Sequence, residues 1–518
     1  MKNSFKLGLA TALATMASSP LAAQDAMTFD AKVNEVFANI TGPFVNLIFA
    51  PFPGTDFPWI VMWLVVAATI FTLYFGFVQF RFFKHAIQLV KGDYSDPNDA
   101  GEVSHFQALA TALSGTVGLG NIAGVAVAVG IGGPGATFWM ILAGLLGMAS
   151  KFTECTLGVK YRNEYPDGTV SGGPMYYISK GFDELGLPGG KILAVLFSIF
   201  CILGALGGGN MFQANQAHAQ IQTVMGFEFS GLITGIIFAG IVFAVIVGGI
   251  KSIASVTEKI VPIMGLLYVG AALIILIVNY DKIGWAFGQI FTGAFTGLGV
   301  AGGLVGALIQ GFKRAAFSNE AGVGSAAIAH SAVKTKEPIT EGFVSLLEPL
   351  IDTVVICTMT ALVIVISQQL IVNPATGLYV LNEAGTAIAT IGDTSGVALT
   401  SAAFGSGISW FPYVLAVAVI LFAFSTMISW SYYGLKAWTY LFGEGKITEL
   451  VFKIIFCIFI VIGAAASLGP VIDFSDAAIF AMAVVNIFCL YFLMKLVRTE
   501  LNSYASRLES GEIKKFEH

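Results

Sequence analysis

The chain has 518 residues, 56% of them hydrophobic and only 11% charged, with 60 glycines, 43 phenylalanines and a formal net charge of −5. Its mean hydropathy is +0.82. No soluble fold hides that much apolar surface, so the composition implies a polytopic membrane protein with one large helical domain. The acidic balance argues against a nucleic-acid partner.

Residues 1–23 carry the pattern of a secretory signal peptide: Lys2 and Lys6, small apolar residues from Leu7 to Met16, then Pro20-Leu21-Ala22-Ala23. A retained interfacial helix is the other reading of this stretch, and in both readings 24–56 is extracytoplasmic. A transmembrane domain follows over 57–498, then a cytoplasmic tail, 499–518. Its apolar runs give about eleven spans of the ~20 residues that a ~30 Å hydrocarbon core requires. With the first span running inward, Arg81, Lys84, Lys160, Arg162, Lys334, Lys336, Lys446 and Arg498 fall in the cytoplasm, and Lys32 and Lys282 stay outside. The outer loop 372–408 has no lysine or arginine. That asymmetry is the positive-inside bias, and it sets a multi-pass protein of the bacterial inner membrane with its N-terminus outside and its C-terminus inside.

The span 57–80 stands apart as an extra helix. The rest divides into a first repeat, 104–279, and a second, 297–498, of roughly five spans each; an odd number of crossings makes the two halves inverted. The first span of the first repeat, 104–132, is interrupted from Ser114 to Asn121 by a glycine-rich, hydroxyl-bearing run. Unwound backbone survives in hydrocarbon only where it is buried in protein or lines a polar cavity, so this run points to a carrier site at mid-membrane. The opening span of the second repeat, 297–325, is interrupted by Gly297, Gly299, Gly302, Gly303, Gly306 and Gly311 ahead of Lys313-Arg314. Close helix packing accounts for any one of these glycines; their clustering at the place equivalent to the first interruption points to the site.

The five cysteines, Cys155, Cys201, Cys357, Cys457 and Cys489, lie in apolar runs without zinc spacing and read as buried small hydrophobes. His105, His218 and His330 and the pair Asn319-Glu320 show no metal spacing. No nucleophile–base arrangement or phosphate loop is visible, so the chain does not read as an enzyme.

The run Gly118-Leu119-Gly120-Asn121-Ile122-Ala123-Gly124-Val125, with Gly132-Gly133-Pro134-Gly135-Ala136-Thr137-Phe138-Trp139-Met140, closely resembles the alanine or glycine:cation symporter family. So do Phe317-Ser318-Asn319-Glu320-Ala321-Gly322-Val323-Gly324-Ser325, and Phe424-Ser425-Thr426 followed by Trp430-Ser431-Tyr432-Tyr433-Gly434. Ile141 and Gln216 depart from the family pattern, which usually has a tryptophan and a serine there. The resemblance implies an all-α, leucine-transporter-like 5+5 inverted repeat that couples sodium to uptake of small neutral amino acids. The run Val117 to Asn121 is also similar to the first core helix of neurotransmitter:sodium symporters. Carried across, that similarity implies that the carbonyls of Ser114 and Val117 bind one sodium ion, that Thr116 and Asn121 serve another, and that the amides of Leu119 and Gly120 face the substrate carboxylate.

These roles suit the chemistry. Na⁺ is a hard cation that takes several oxygens, which unwound carbonyls and hydroxyls supply without burying a formal charge. A half-helix starting near Gly120 offers free N–H groups and a positive dipole end to a carboxylate. Ser425 and Thr426 either point hydroxyls at the first helix as sodium ligands, with Thr426 also reaching substrate, or bond back to their own helix. Gln213 is the candidate for the substrate amino group, with Asn210 next; the alternative for both is helix-to-helix bonding. Trp430, one turn beyond Thr426, and Phe312, with Gln310 beside it, are candidates to close the pocket. Glu348 and Asp352, four residues apart, are expected to share a helix face and to form a structural or gating ion pair with Lys313, Arg314 or Lys151 rather than to bind the cation.

The expected function is a sodium-driven symporter importing alanine or glycine by alternating access, with no cofactor beyond the coupling ion. A proton-coupled carrier of the same fold is the alternative, and a channel-like or receptor-like protein a more remote one.

Overall fold

The computed structural model describes residues 29–96, 99–166, 168–296, 303–375 and 378–515. The signal-peptide expectation for 1–23, and Gly297, Gly299 and Gly302, lie outside them. Helices α1 (Phe29–Ile48) and α2 (Trp59–Tyr74) precede a broken pair, α3 (His105–Thr116) and α4 (Gly120–Gly132), whose axes meet at 49°. Then come α5 (Ala136–Lys160), α6 (Gly190–Met225), α7 (Gly231–Ile246), α8 (Gly249–Val278) and α9 (Tyr280–Thr296). The second half holds α10 (Gly303–Asn319), α11 (Pro338–Ile366), α12 (Gly396–Gly407), α13 (Phe411–Phe442), α14 (Lys446–Ala465) and α15 (Leu468–Glu509). Among the described residues seven helices are long and apolar enough to cross a membrane, or eight if the bent pair counts as one span.

Burial separates centre from rim. The apolar windows of α5, α11 and α15 are 67%, 67% and 72% buried, whereas those of α8 and α14 are only 33% buried. The first three form the packed middle, and α8 and α14 present residues such as Leu266, Ile277 and Ile454 outward, as a lipid-facing helix does.

The break in the first pair has a local cause at each end. Ser104 and Gln107 form a reciprocal capping box that starts α3. The helix stops where Val117 leaves helical conformation (φ −74°, ψ 83°) ahead of Gly118. The chain then resumes as a π-turn over Gly120–Gly124. Two more π segments, Gly207–Met211 in α6 and Leu350–Cys357 in α11, interrupt otherwise regular helices. Such wide turns are frequent at functional sites, because they displace backbone polar groups from the helical ladder.

Among the described glycines of the second opening span, Gly306 and Gly311 do not interrupt the helix. Helix α10 runs through Gly306 and Gly311 to Asn319, and the interruption falls over Glu320–Ser325, with positive φ at Glu320 (57°), Gly322 (83°) and Gly324 (92°). A short helix, Ala326–His330, follows. Gly311 is a packing glycine: a Cβ there would sit 2.5 Å from Trp139 Cβ and 2.6 Å from the Ala136 carbonyl oxygen. The segments 24–56 and 372–408 also contain helices, α1 and α12. Phe37 of α1 packs edge-on against Phe474 (5.2 Å). Helix α12 is tied to the core by Thr400 Oγ1, which donates to the Ile122 carbonyl at 2.9 Å, and by Val397 N, which donates to Gln216 Oε1 at 2.9 Å.

Gly463 of α14 lies so close to α6 that a Cβ would fall 2.4 Å from Met211 Cα. Overpacking of this kind costs ~1–3 kcal/mol. Gly463→Val should therefore lower the apparent melting temperature in detergent by a few degrees, and an unchanged value shows that the two helices part without cost.

Candidate functional site

The unwound turn between α3 and α4 is pinned from within. Gly118 N donates to Asn121 Oδ1 at 2.9 Å, which fixes the asparagine so that its Nδ2 donates to Asp352 Oδ1 (2.6 Å) and to the Asp352 carbonyl (3.0 Å). Ser318 Oγ (2.9 Å) and Thr353 Oγ1 (2.6 Å) also donate to the Asp352 carboxylate. Asn121, Ser318 and Asp352 are all buried, so a carboxylate sits in the protein interior held by neutral donors. A buried anion of this kind is costly unless a cation joins it.

On the other side of α3 lies an oxygen cluster without formal charge. Thr426 Oγ1 donates to the Ser114 carbonyl (3.0 Å), Ser114 Oγ donates to the Ser425 carbonyl (2.7 Å), and Ser429 Oγ donates to the Thr111 carbonyl (3.1 Å). Ser425 Oγ bonds back to the Phe422 carbonyl (3.0 Å), and Thr116 Oγ1 to the Ala112 carbonyl (3.2 Å). Of the two readings open for the Ser425-Thr426 pair, Thr426 thus takes the crossing one and Ser425 the local one. Gly118 has no room for a side chain, since a Cβ would fall 2.4 Å from Thr426 Oγ1.

Between these two clusters is a tight cavity lined by Gly115, Thr116, Gly120, Gly208, Gln213, Phe317, Glu320, Trp430 and Ile479. Glu320, 2% exposed, faces it from the second break. Trp430 Nε1 donates to Glu320 Oε1 at 3.0 Å, and Ser325 Oγ donates to Oε2. Leu119 N donates to Gln213 Oε1 at 3.1 Å, and Gln213 Nε2 donates to the Gly208 carbonyl at 2.9 Å. Gly209 makes room for the indole: a Cβ there would lie 2.2 Å from Trp430 Cγ. Phe317 closes one end. Its ring packs edge-on against Phe212 (5.0 Å), and the Arg314 guanidinium lies over it (5.1 Å). Arg314 in turn pairs with Asp476, which also binds Lys313 at 2.9 Å.

Gly120, Gln213, Trp430 and Thr116 therefore meet at one cavity, and Leu119 joins through its amide. Thr426 lies behind Gly118 in the hydroxyl cluster. Phe312 does not reach the cavity: it faces Trp139 (6.5 Å) and a space lined by Leu64, Ala68 and Ala143. Five residues along one helix are roughly 140° round its axis, so Phe317 takes the inner face and Phe312 cannot. Asn210 Nδ2 donates to the Phe456 carbonyl (2.7 Å), a helix-to-helix bond away from the cavity.

The acidic pair also parts company. Glu348 binds Lys151 (3.1 Å) and His330, while Asp352 turns to Asn121 and Ser318; Lys313 and Arg314 go to Asp476 instead. Four residues return to one face only in a regular α-helix, and here the chain is π-wound from Leu350. Glu320 was missed because its neighbours were read only for metal spacing. Its signal was a carboxylate next to a Gly-x-Gly run inside an apolar segment.

Residues 15–518 match the model of the sodium:alanine symporter family. The chain belongs to that family. It is 40% identical over 448 residues, 86% of this chain and 94% of the other, to the sodium/alanine symporter AgcS of Methanococcus maripaludis. It is 32% identical over 455 residues, 87% and 89% of the two chains, to the probable sodium/glutamine symporter GlnT of Bacillus subtilis. The crystal structure of MhsT in complex with L-phenylalanine aligns with a TM-score of 0.53 at 14% identity, covering 76% of this chain and 89% of that one, a likeness of fold. The protein is thus a multi-pass amino acid:cation symporter of leucine-transporter-like fold, and not an enzyme.

Proposed function

We propose that the protein imports alanine or glycine together with Na⁺, by alternating access around the cavity at the two breaks. The observation that carries this reading is the unwound turn itself: one face abuts a neutral oxygen cluster, the other a buried carboxylate, and Gly120 lines a cavity that holds a second carboxylate. The carbonyls of Ser114 and Val117 and the hydroxyl oxygens of Thr426 and Ser425 bind one Na⁺, Ser425 through the lone pairs left when its hydrogen goes to the Phe422 carbonyl. The Thr116 carbonyl, Asn121 and Asp352 bind another, the aspartate neutralised by the ion it holds. The substrate carboxylate meets the amides of Leu119 and Gly120 at the start of α4, where the helix dipole favours an anion. Its ammonium meets Glu320, and Gln213 orients the Leu119 amide and completes the polar wall. One Na⁺ crossing ~100 mV contributes about 2.3 kcal/mol, and each tenfold gradient adds ~1.4 kcal/mol, enough for more than tenfold accumulation. We read the C-terminus as cytoplasmic from the charge bias of the loops.

Trp430, Phe317 and Ile479 line this tight cavity, and we read it as sized for a methyl group rather than an isobutyl group. Leucine should compete poorly with labelled alanine, and Trp430→Ala should improve leucine competition relative to alanine at least about tenfold. Efficient leucine competition in the unmutated protein refutes the small pocket. Replacing Ser425 and Thr426 together with alanine removes two neutral ligands of about 0.5–1.5 kcal/mol each, so half-maximal Na⁺ for alanine binding to the purified protein should rise several-fold to about a hundredfold. An unchanged value in folded protein removes both hydroxyls from the ion site.

Asp352 favours one other reading, a proton-coupled carrier in which this carboxylate takes up the driving proton. The several oxygens gathered around it suit a metal cation better than a proton, which needs only one.

A further inference from the structure

Away from the cavity, buried side chains form an unbroken acid–base chain. His105 Nδ1 hydrogen-bonds Glu341 Oε2, Glu341 Oε1 meets His330 Nδ1, His330 Nε2 meets Glu348 Oε1, and Lys151 Nζ lies 3.1 Å from Glu348 Oε2. His105 is 3% exposed and the other four are fully buried. At one end His105, the first residue of α3, borders an open pocket shared with Asp96, Glu102 and Lys334. At the other end Lys151 lies within electrostatic range of Glu154, Cys155 and Glu320, and Glu320 lines the cavity. Tyr433 of α13 lies within electrostatic range of Glu320 and Glu348, Asn486 of α15 donates to Glu154 (3.0 Å), and Glu258 of α8 accepts from Gln107 (3.0 Å) beside His105.

A structural ion pair needs only Lys151 and Glu348. His330 presents both ring nitrogens to carboxylates, yet a neutral imidazole has one N–H, so one of the two contacts sets lone pair against lone pair unless the chain carries an added proton. With that proton His330, Lys151, Glu341 and Glu348 sum to zero charge. Such a coupled group titrates as a unit.

We propose that His105, Glu341, His330 and Glu348 are a proton relay between the cytoplasmic pocket and the buried Lys151, holding a proton while the amino-acid cavity is empty and releasing it when the ammonium and Na⁺ bring in positive charge. The proton leaves His330 Nδ1 for Glu341, whose neutral carboxyl then accepts from His105 Nδ1–H; the His105 ring turns over, so that its bare Nε2 takes the proton from Glu341 and Nδ1–H, now toward the pocket, gives its proton to water. Imidazolium becomes imidazole, and no redox partner is involved. The inference rests on the transport reading above.

Full-length protein in weakly buffered Na⁺ solution, mixed with alanine in a stopped-flow instrument with a pH indicator, tests it, with binding measured in parallel by calorimetry. The unmutated protein should release close to one proton per alanine bound near neutral pH. His330→Gln should bind alanine and release less than about a third as much. His105→Gln should release a similar amount at least ten times more slowly, a readout that a purely structural role would not move; it carries the test alone if His330→Gln does not fold. Alanine binding without proton release, or release that is full and equally fast in the variants, overturns the relay. Absence of alanine binding in the unmutated protein overturns the transport reading instead.

Discussion

Glu320→Gln should raise the half-saturating alanine concentration for uptake more than about a hundredfold. Glutamine keeps the size of the side chain and an oxygen to accept from Trp430 Nε1 (3.0 Å in the unmutated protein), so folding and insertion should survive. What disappears is the negative charge facing the substrate ammonium in a site closed from water. Breaking a buried ion pair by neutralising one partner costs about 3–5 kcal/mol, because the other charge stays desolvated and unpaired, and each ~1.4 kcal/mol is tenfold in affinity. Glu320→Asp keeps the charge but shortens its reach, so it should fall between the two. Alanine affinity within about threefold of normal in Glu320→Gln would assign the ammonium to Gln213 and leave Glu320 to hold Trp430 and Ser325.

Asp352→Asn is expected to act on the ion rather than on the amino acid. The carboxylate is gathered by Asn121, Ser318 and Thr353, all neutral, so the charge it carries is compensated only when a cation binds. Replacing it with an amide removes the one charged ligand and turns a donor toward Asn121 Nδ2. Half-maximal Na⁺ should rise more than about tenfold, with a smaller change in alanine affinity at saturating Na⁺, since hydrogen bonds and contacts to a charged group contribute roughly 1.5–3 kcal/mol. The proton-coupled reading expects something different: loss of any response to an imposed pH gradient, with the Na⁺ dependence unaltered.

The first break was legible because its residues say the same thing at every level. Gly118 and Gly120 permit the turn, Asn121 closes it by accepting from Gly118 N, and Ser104-x-x-Gln107 marks where the helix begins. At the second opening span the described glycines Gly306 and Gly311 do not carry the break. Glycine clustering over 303–311 signals close packing, as at Gly311 against Ala136, whereas the actual turn is carried by a left-handed glutamate, Glu320, followed by Gly322 and Gly324. Glu320 is a residue that local propensity would not choose for positive φ. Tertiary geometry hid the rest. A π segment starting at Leu350 sends Glu348 and Asp352 to different partners, and no α-helical periodicity reveals that. Phe312 and Phe317 are equally apolar, and only the axis rotation of α10 decides which one faces the cavity. Gln213 and Trp430 stood out because polar and aromatic side chains at mid-span need partners, and in the fold they bond the Leu119 amide and Glu320 at one cavity.

Uptake of labelled alanine into proteoliposomes of the purified protein, under an inward Na⁺ gradient at constant pH and clamped voltage, tests sodium coupling most directly. The site described here predicts accumulation well above equilibrium with Na⁺ outside, and only passive equilibration when choline replaces Na⁺ at the same ionic strength. Equal accumulation in choline, or accumulation that follows an imposed pH gradient in the absence of Na⁺, would contradict it.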